Sequence, residues 1–161
     1  MDYLWTPWRY QYLTRPPDPA ACVFCAAAAG SDDRESLVVY RAALNFIILN
    51  RYPYTSGHLM VVPFEHVASL EDLREETAAE MMQLARTSVR RLKAVYRPEG
   101  LNVGINLGAS AGAGITGHLH VHVLPRWTGD TNFMTAVGET RVLPEDLAVT
   151  WEKLRQAFQE T

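Results

Sequence analysis

Three histidines spaced two apart, His118, His120 and His122, stand in the run Gly117-His118-Leu119-His120-Val121-His122-Val123-Leu124-Pro125-Arg126. A neutral imidazole, with an unperturbed pKa of about 6.5, keeps one ring lone pair at neutral pH. It can act as a nucleophile, move a proton or ligate a metal. The chain's two cysteines, Cys22 and Cys25, have the spacing of half a zinc site or of a redox pair. No second half of a thioredoxin pattern accompanies them, whereas histidines are to spare, so zinc is favoured over redox chemistry.

The alternation of histidine with aliphatic residues has period two and predicts a β-strand. Leu119, Val121 and Val123 would face a core, with the three imidazoles in a row on the opposite face. Residues two apart on a strand are separated by about 6.6 Å and residues four apart by about 13 Å. One metal ion can draw in a neighbouring pair of imidazoles but hardly all three. The row is therefore expected to divide its labour, one end serving a metal or the scaffold and another doing chemistry. Three histidines in register, flanked by glycine, weigh against a strand whose imidazoles are merely half-exposed and hydrogen-bonded.

The elements that must position this row follow from the rest of the pattern. Tyr3 to Tyr12 forms an aromatic arm suited to packing on the domain or a second subunit, with Arg9 or a tryptophan as an alternative nucleotide contact. Arg15-Pro16-Pro17-Asp18-Pro19 is a stiff connector that delivers the cysteines. Ala26 to Asp33 ends in a turn-like cluster. Strands are predicted at Leu37 to Tyr40, Leu44 to Asn50 and His58 to Pro63, the second apolar enough for burial on both faces. Ser69 is the expected N-cap of a long helix carrying Leu73, Ala78, Met81, Ala85, Ser88, Val89, Leu92 and Val95, stopped by Pro98 and Gly100. Met81 and Met82 read as helix packing. Leu101 to Leu107 is a further strand, and Gly108 to Gly117 a Gly, Ala and Ser-rich loop feeding the histidines. Pro144 suits the first turn of a last helix striped with Leu147, Trp151, Leu154 and Phe158. The expected class is α+β, an antiparallel sheet with one long helix and a C-terminal helix, in one domain over residues 1–161 with an arm at 1–21.

With 161 residues, 48% of them hydrophobic, the chain can bury a core without disulfides. Its net charge of −3 disfavours nucleic acid as the main partner. No apolar run reaches membrane-spanning length, and the N-terminus lacks a basic segment followed by an apolar one. A cytoplasmic protein without a membrane partner is the expectation.

The run Gly117 to Arg126 resembles the signature of the histidine-triad superfamily of nucleotide hydrolases and transferases. Asn106-Leu107-Gly108, Asn50-Arg51-Tyr52-Pro53, Gly57 to Pro63 and Arg126-Trp127-Thr128-Gly129-Asp130-Thr131-Asn132-Phe133 extend the likeness over most of the chain. The resemblance implies a histidine-triad fold with paired subunits. It implies His120 as nucleophile, His122 in phosphate contact or leaving-group protonation, and His118 as the third triad member. Asn50 maps onto a ribose-contacting position and Asn106 onto a polar position of the site, and the glycine-rich loop with Gly108, Gly112, Gly114 and Thr116 offers amides to phosphate. Many members carry Gln then Ser or Thr after the glycine matching Gly112, where this chain has Ala113-Gly114-Ile115-Thr116 and a loop one residue longer. Thr116 or backbone amides would substitute. Zinc-bearing relatives imply Cys22, Cys25, His66 and His118 as a structural zinc set, with unmetallated thiols as the alternative. His58 would sit by the nucleotide or, the favoured reading, satisfy a backbone group.

The arm, the long loop and the tryptophan-containing continuation are similar to the branch that phosphorolyses diadenosine tetraphosphate to ATP and ADP. The implied function is a nucleotidyltransferase working through a nucleotidyl-histidine, on a nucleotide substrate with which magnesium is a possible companion. Two alternatives stand beside it. One is a hydrolase of dinucleoside polyphosphates or phosphoramidates that releases AMP; the other is a non-catalytic nucleotide-binding protein with structural zinc. The arm and the C-terminal stripe point to a homodimer or higher homo-oligomer.

Overall fold

In the computed structural model, residues 22–138, 140 and 142–160 are described. The expectations for the aromatic arm and the proline connector lie outside them. The sheet grows from the middle of the chain, where β1 (Val38–Arg41), β2 (Asn45–Leu49) and β3 (Leu59–Pro63) pair antiparallel in succession. β5 (Val121–Arg126) joins β3, and β4 (Gly100–Ile105) closes the order β1-β2-β3-β5-β4, antiparallel throughout. The expected α+β class and antiparallel sheet are thus observed.

Both faces of the sheet are covered, which is why β2 reads as continuously apolar. Ile47, Leu49, Val61, Val121 and Val123 pack on one face against Met81, Leu84 and Leu92 of α3 (Glu75–Tyr96) and Leu154 and Phe158 of α5 (Leu147–Gln159). The other face buries Phe46, Ile48, Met60 and Val62 under Phe24 and Ala27 of α1 (Val23–Ala29). Two short helices, α2 (Asp33–Ser36) and α4 (Phe133–Ala136), complete the order.

Several local expectations are corrected. The stretch after the cysteines, expected only to end in a turn-like cluster, begins inside the helix α1, which is capped by the Cys22 thiol and stopped at Gly30, where that cluster starts. Its four alanines, the best helix formers, carry that signal. Ser69 does not cap the long helix: its hydroxyl bonds Glu71, Leu70–Asp72 closes as a separate 3-10 turn, and α3 starts at Glu75 after Arg74. Met81 is buried, whereas Met82 is 58% exposed. α5 is capped by Asp146, so Pro144 precedes the helix. β4 runs one residue earlier than expected and stops at Ile105. β5 begins only at Val121, so His118 and His120 precede the strand and only His122 lies in it.

The two sheet edges differ. On β1 the Val38 and Val39 carbonyls accept from Trp151 Nε1 at 2.9 Å and Arg155 Nη1 at 2.7 Å. Those side chains of α5 blunt that edge. Among the described residues no side chain caps β4 in this way, and Asn102, Val103 and Gly104 are exposed.

Arg41, at the end of β1, fastens α1 to the sheet. Its guanidinium donates to the carbonyls of Ala27, Ala28 and Gly30 at 2.8, 2.7 and 3.0 Å and pairs with Asp33. These bonds satisfy the carbonyls that a helix end leaves open.

Candidate functional site: a thiol and imidazole cluster beside a buried histidine chain

Four side chains from three separate segments converge behind α1. Cys22 and Cys25 stand at its N-terminus, His66 lies in the connection between β3 and α3, and His118 precedes β5. Their ligand atoms all lie within 4.8 Å of one another. His118 Nδ1 is 3.2 Å from Cys22 Sγ and 3.6 Å from Cys25 Sγ, and His66 Nδ1 is 3.2 Å from Cys25 Sγ. That span suits four ligands around one ion with bonds of about 2.0–2.3 Å. His118 Nε2–H donates to the Pro63 carbonyl at 2.9 Å, which leaves Nδ1 as the lone pair facing the thiols. Burial and the neighbouring Cys22 push the Cys25 thiol up from its ordinary pKa, a cost that a bound cation removes. These residues could hold a metal ion.

The same His118 orients the next histidine. His120 Nδ1–H donates to the His118 carbonyl at 2.9 Å, so the lone pair of His120 sits on Nε2. Phe24, between the two cysteines in sequence, packs its ring 5.4 Å from His118 and 5.1 Å from His120. Truncating it opens a cavity in the satellite core beneath the imidazoles. Phe24→Ala is expected to lower the unfolding free energy by about 3–5 kcal/mol in urea titration, as buried Phe truncations do.

His122 follows at 4.8 Å between ring centroids. Behind it lies His58, fully buried, whose Nδ1 accepts the Tyr54 N–H at 3.2 Å. His58 Nε2–H is then the donor in its 2.9 Å bond to His122 Nδ1, and His122 carries its own proton on Nε2. The chain of bonds sets one imidazole as acceptor at Nε2 and its neighbour as donor at Nε2. His58 does satisfy a backbone group, as favoured, but its pairing with His122 is not foreseen in the sequence. The row that the strand pattern predicts is therefore divided, with His118 turned to the thiols and His120 and His122 placed together.

Burial pushes the pKa of all three triad histidines down, and the His118 carbonyl only partly opposes this at His120. For His122 the value falls to about 4, through burial first and then the proximity of His120. An unfolded chain takes up a proton near pH 6.5 that folded His122 refuses until about pH 4. Stability is therefore fully present above 6.5 and lost as pH falls through that window. The urea midpoint should drop between pH 6.5 and 4, and drop less steeply in His122→Gln; equal slopes would refute the assignment.

The remaining expected residues surround this group at varying distance. Asn50 accepts the Tyr52 N–H at 2.9 Å, and its amide nitrogen lies 3.5 Å from His58 Nδ1. Gly108 and Gly112 have φ of +79° and +90°, the positive values that a loop reversing around a 3-10 turn at Ala109–Ala111 requires. A Cβ on Gly112 would lie 3.9 Å from the Asn106 amide nitrogen. Gly114 and Thr116 are exposed, and no hydrogen bond among the described residues ties Thr116 to the imidazoles.

Residues 31–129 match the HIT domain family. The chain is 47% identical over 157 residues to a Mycobacterium tuberculosis protein named AP-4-A phosphorylase, covering 93% of this chain and 80% of that one. A crystal structure of a zinc-bound histidine triad family protein from Mycobacterium smegmatis superposes with a TM-score of 0.71 at 31% identity, over 87% of this chain and 94% of that one. A hypothetical histidine triad nucleotide-binding protein from Sulfolobus tokodaii gives 0.68 at 29% identity, over 86% and 92%.

Proposed function

Since the chain belongs to the HIT domain family, an enzyme family acting on nucleotides, we propose that it transfers a nucleotidyl group from a dinucleoside polyphosphate to phosphate through His120. The observation that carries this reading is the His120 Nδ1 bond to the His118 carbonyl, which leaves an unprotonated Nε2 beside the Nε2–H of His122.

With diadenosine tetraphosphate the His120 Nε2 lone pair forms a bond to the α-phosphorus while the bond from that phosphorus to the bridging oxygen breaks, releasing ATP. A phosphate oxygen then forms the new bond to phosphorus, the N–P bond breaks, and ADP leaves. Nε2–H of His122 donates to a non-bridging or leaving oxygen, where charge gathers. The glycine-rich loop is proposed to supply backbone amides to the phosphates, and Asn50 and Asn106 to border the nucleotide. Phosphate as acceptor rests on the similarity to the mycobacterial phosphorylase.

The paired thiols and imidazoles are the soft, tetrahedral donor set that zinc takes, and the similarity to a zinc-bound relative supports that metal. Zinc would bind Cys22, Cys25, His66 and His118 and supply a structural cross-link. The polyphosphate is taken to arrive with magnesium, the hard cation such chains carry. The β4 edge, exposed at Asn102, Val103 and Gly104 among the described residues, supports a homodimer or higher oligomer, and no helix among them is long and apolar enough to cross a membrane. A cytoplasmic setting belongs to the same reading.

Product analysis with diadenosine tetraphosphate tests the reaction class. ADP and ATP appearing only when phosphate is present is the expected result. AMP and ATP regardless of phosphate would make the protein a hydrolase, and no His120-dependent product would leave a nucleotide-binding protein.

A further inference from the structure

A cavity of about 780 Å³ opens beyond His122, and its lining leaves out all three triad histidines. Leu124, two residues after His122 and on the same face, forms part of its wall beside its cross-strand partner Asn102. Two strand residues cover about 6.6 Å. Tyr54 bridges the two places: it lines the cavity, and its ring is stacked 6.0 Å from His122.

The chemistry of the wall selects against a bare phosphate end. Among the described residues that line it the one cation is Arg126, held by both oxygens of Asp130 at 2.6 and 2.8 Å, and Glu145 adds a further carboxylate. Aromatic surface comes instead from Tyr54, Tyr96 and Trp127. Two polar groups of the wall are suited to read an uncharged ligand. Arg126 Nη1 donates to Asn102 Oδ1 at 2.7 Å, so the Asn102 carbonyl oxygen is engaged and its NH₂ is left as a fixed donor. Ser56 is 9% exposed, and its Oγ, in the same wall, has no hydrogen-bond partner among the described residues. Buried hydroxyls are seldom left unpaired, and a ligand edge would satisfy this one.

We infer that this cavity receives the nucleoside of the leaving nucleotide, with Asn102 and Ser56 reading its base or sugar. The inference rests on the transferase reading above and sharpens its substrate class: a chain of phosphates ended by a second nucleoside is preferred to one that ends bare. The phosphates would run from His120 past His122 and Tyr54, and the uncharged end would enter the aromatic chamber.

The test compares non-hydrolysable methylene analogues of diadenosine tetraphosphate and of adenosine 5'-tetraphosphate, which lacks the second nucleoside. Binding of each is measured by calorimetry to the wild type, Asn102→Leu and Ser56→Ala. Asn102→Leu removes the donor without adding charge. The readout is the ratio of the two affinities, in which effects on the shared nucleoside and phosphates cancel. The wild type should prefer the two-nucleoside ligand about tenfold, the worth of one or two hydrogen bonds, and each variant should shrink that ratio. Equal affinities in the wild type, or a ratio unchanged in both variants, would overturn the inference. Turnover of the parent nucleotides is read separately. An intact ratio without His120-dependent turnover would sink the transferase reading and leave the subsite standing; turnover without a preference would do the reverse.

Discussion

His120→Ala should lower kcat/KM for diadenosine tetraphosphate by about 10⁴-fold or more while leaving nucleotide affinity within a few-fold of wild type. The size follows from the role. A nucleophile that forms a covalent intermediate cannot be replaced by its neighbours, and His122, with Nδ1 engaged by His58 and its proton on Nε2, presents no lone pair to substitute. His118 faces the thiols with the same atom that would have to attack. The substitution removes a ring packed on Phe24, so folding is checked by urea titration, and zinc content should be unchanged because His120 is not in the metal set. A loss below tenfold, or a loss explained by weaker binding, would assign the nucleophile elsewhere.

Loss of a metal ligand should have the second largest effect. In Cys25→Ser, zinc per chain measured by atomic absorption should fall from about one toward zero in protein dialysed against a mild chelator, with affinity down by about 10²-fold or more. The four candidate ligands tie α1 to segments 41 to 96 residues away in sequence, so their release frees the helix that carries Phe24. His118 would lose its restraint on one side, and through its carbonyl the orientation of His120 would loosen. Activity should fall by about 10–100-fold and the unfolding midpoint should drop with it. Adding zinc in excess should restore part of both in Cys25→Ser and nothing in a Cys22→Ala, Cys25→Ala double variant. Full metal content and full activity in Cys25→Ser would contradict the cross-link.

How much of this was legible beforehand depends on sequence separation. The alternating histidines announce a strand-like row and the apolar β2 a strand covered on both faces, because period and composition are local. The division of the row was also legible, since imidazoles four residues apart exceed the reach of one ion. What it divides into was not: residue spacing leaves the partners of Cys22 and Cys25 open, and His66 and His118 follow only from resemblance. The pairing of His58 with His122 spans 64 positions and depends on the β3–β5 register, Leu59 opposite Val123, which no local pattern encodes. α1 hides for a different reason. A cysteine thiol is an unusual cap, and the turn formers Gly30 and Ser31 draw attention from four alanines. Ser69 misleads because its hydroxyl is taken by Glu71 and the backbone extends again at Leu73 before the long helix begins.

The central claim is two displacements through His120, and the stereochemical course at the α-phosphorus tests it most directly. The substrate is diadenosine tetraphosphate made chiral at that phosphorus with sulfur, and the configuration of the nucleotide formed with phosphate is then read. Two in-line displacements, one by His120 and one by phosphate, predict overall retention. Inversion would mean that phosphate attacks directly and that no nucleotidyl-His120 lies on the path.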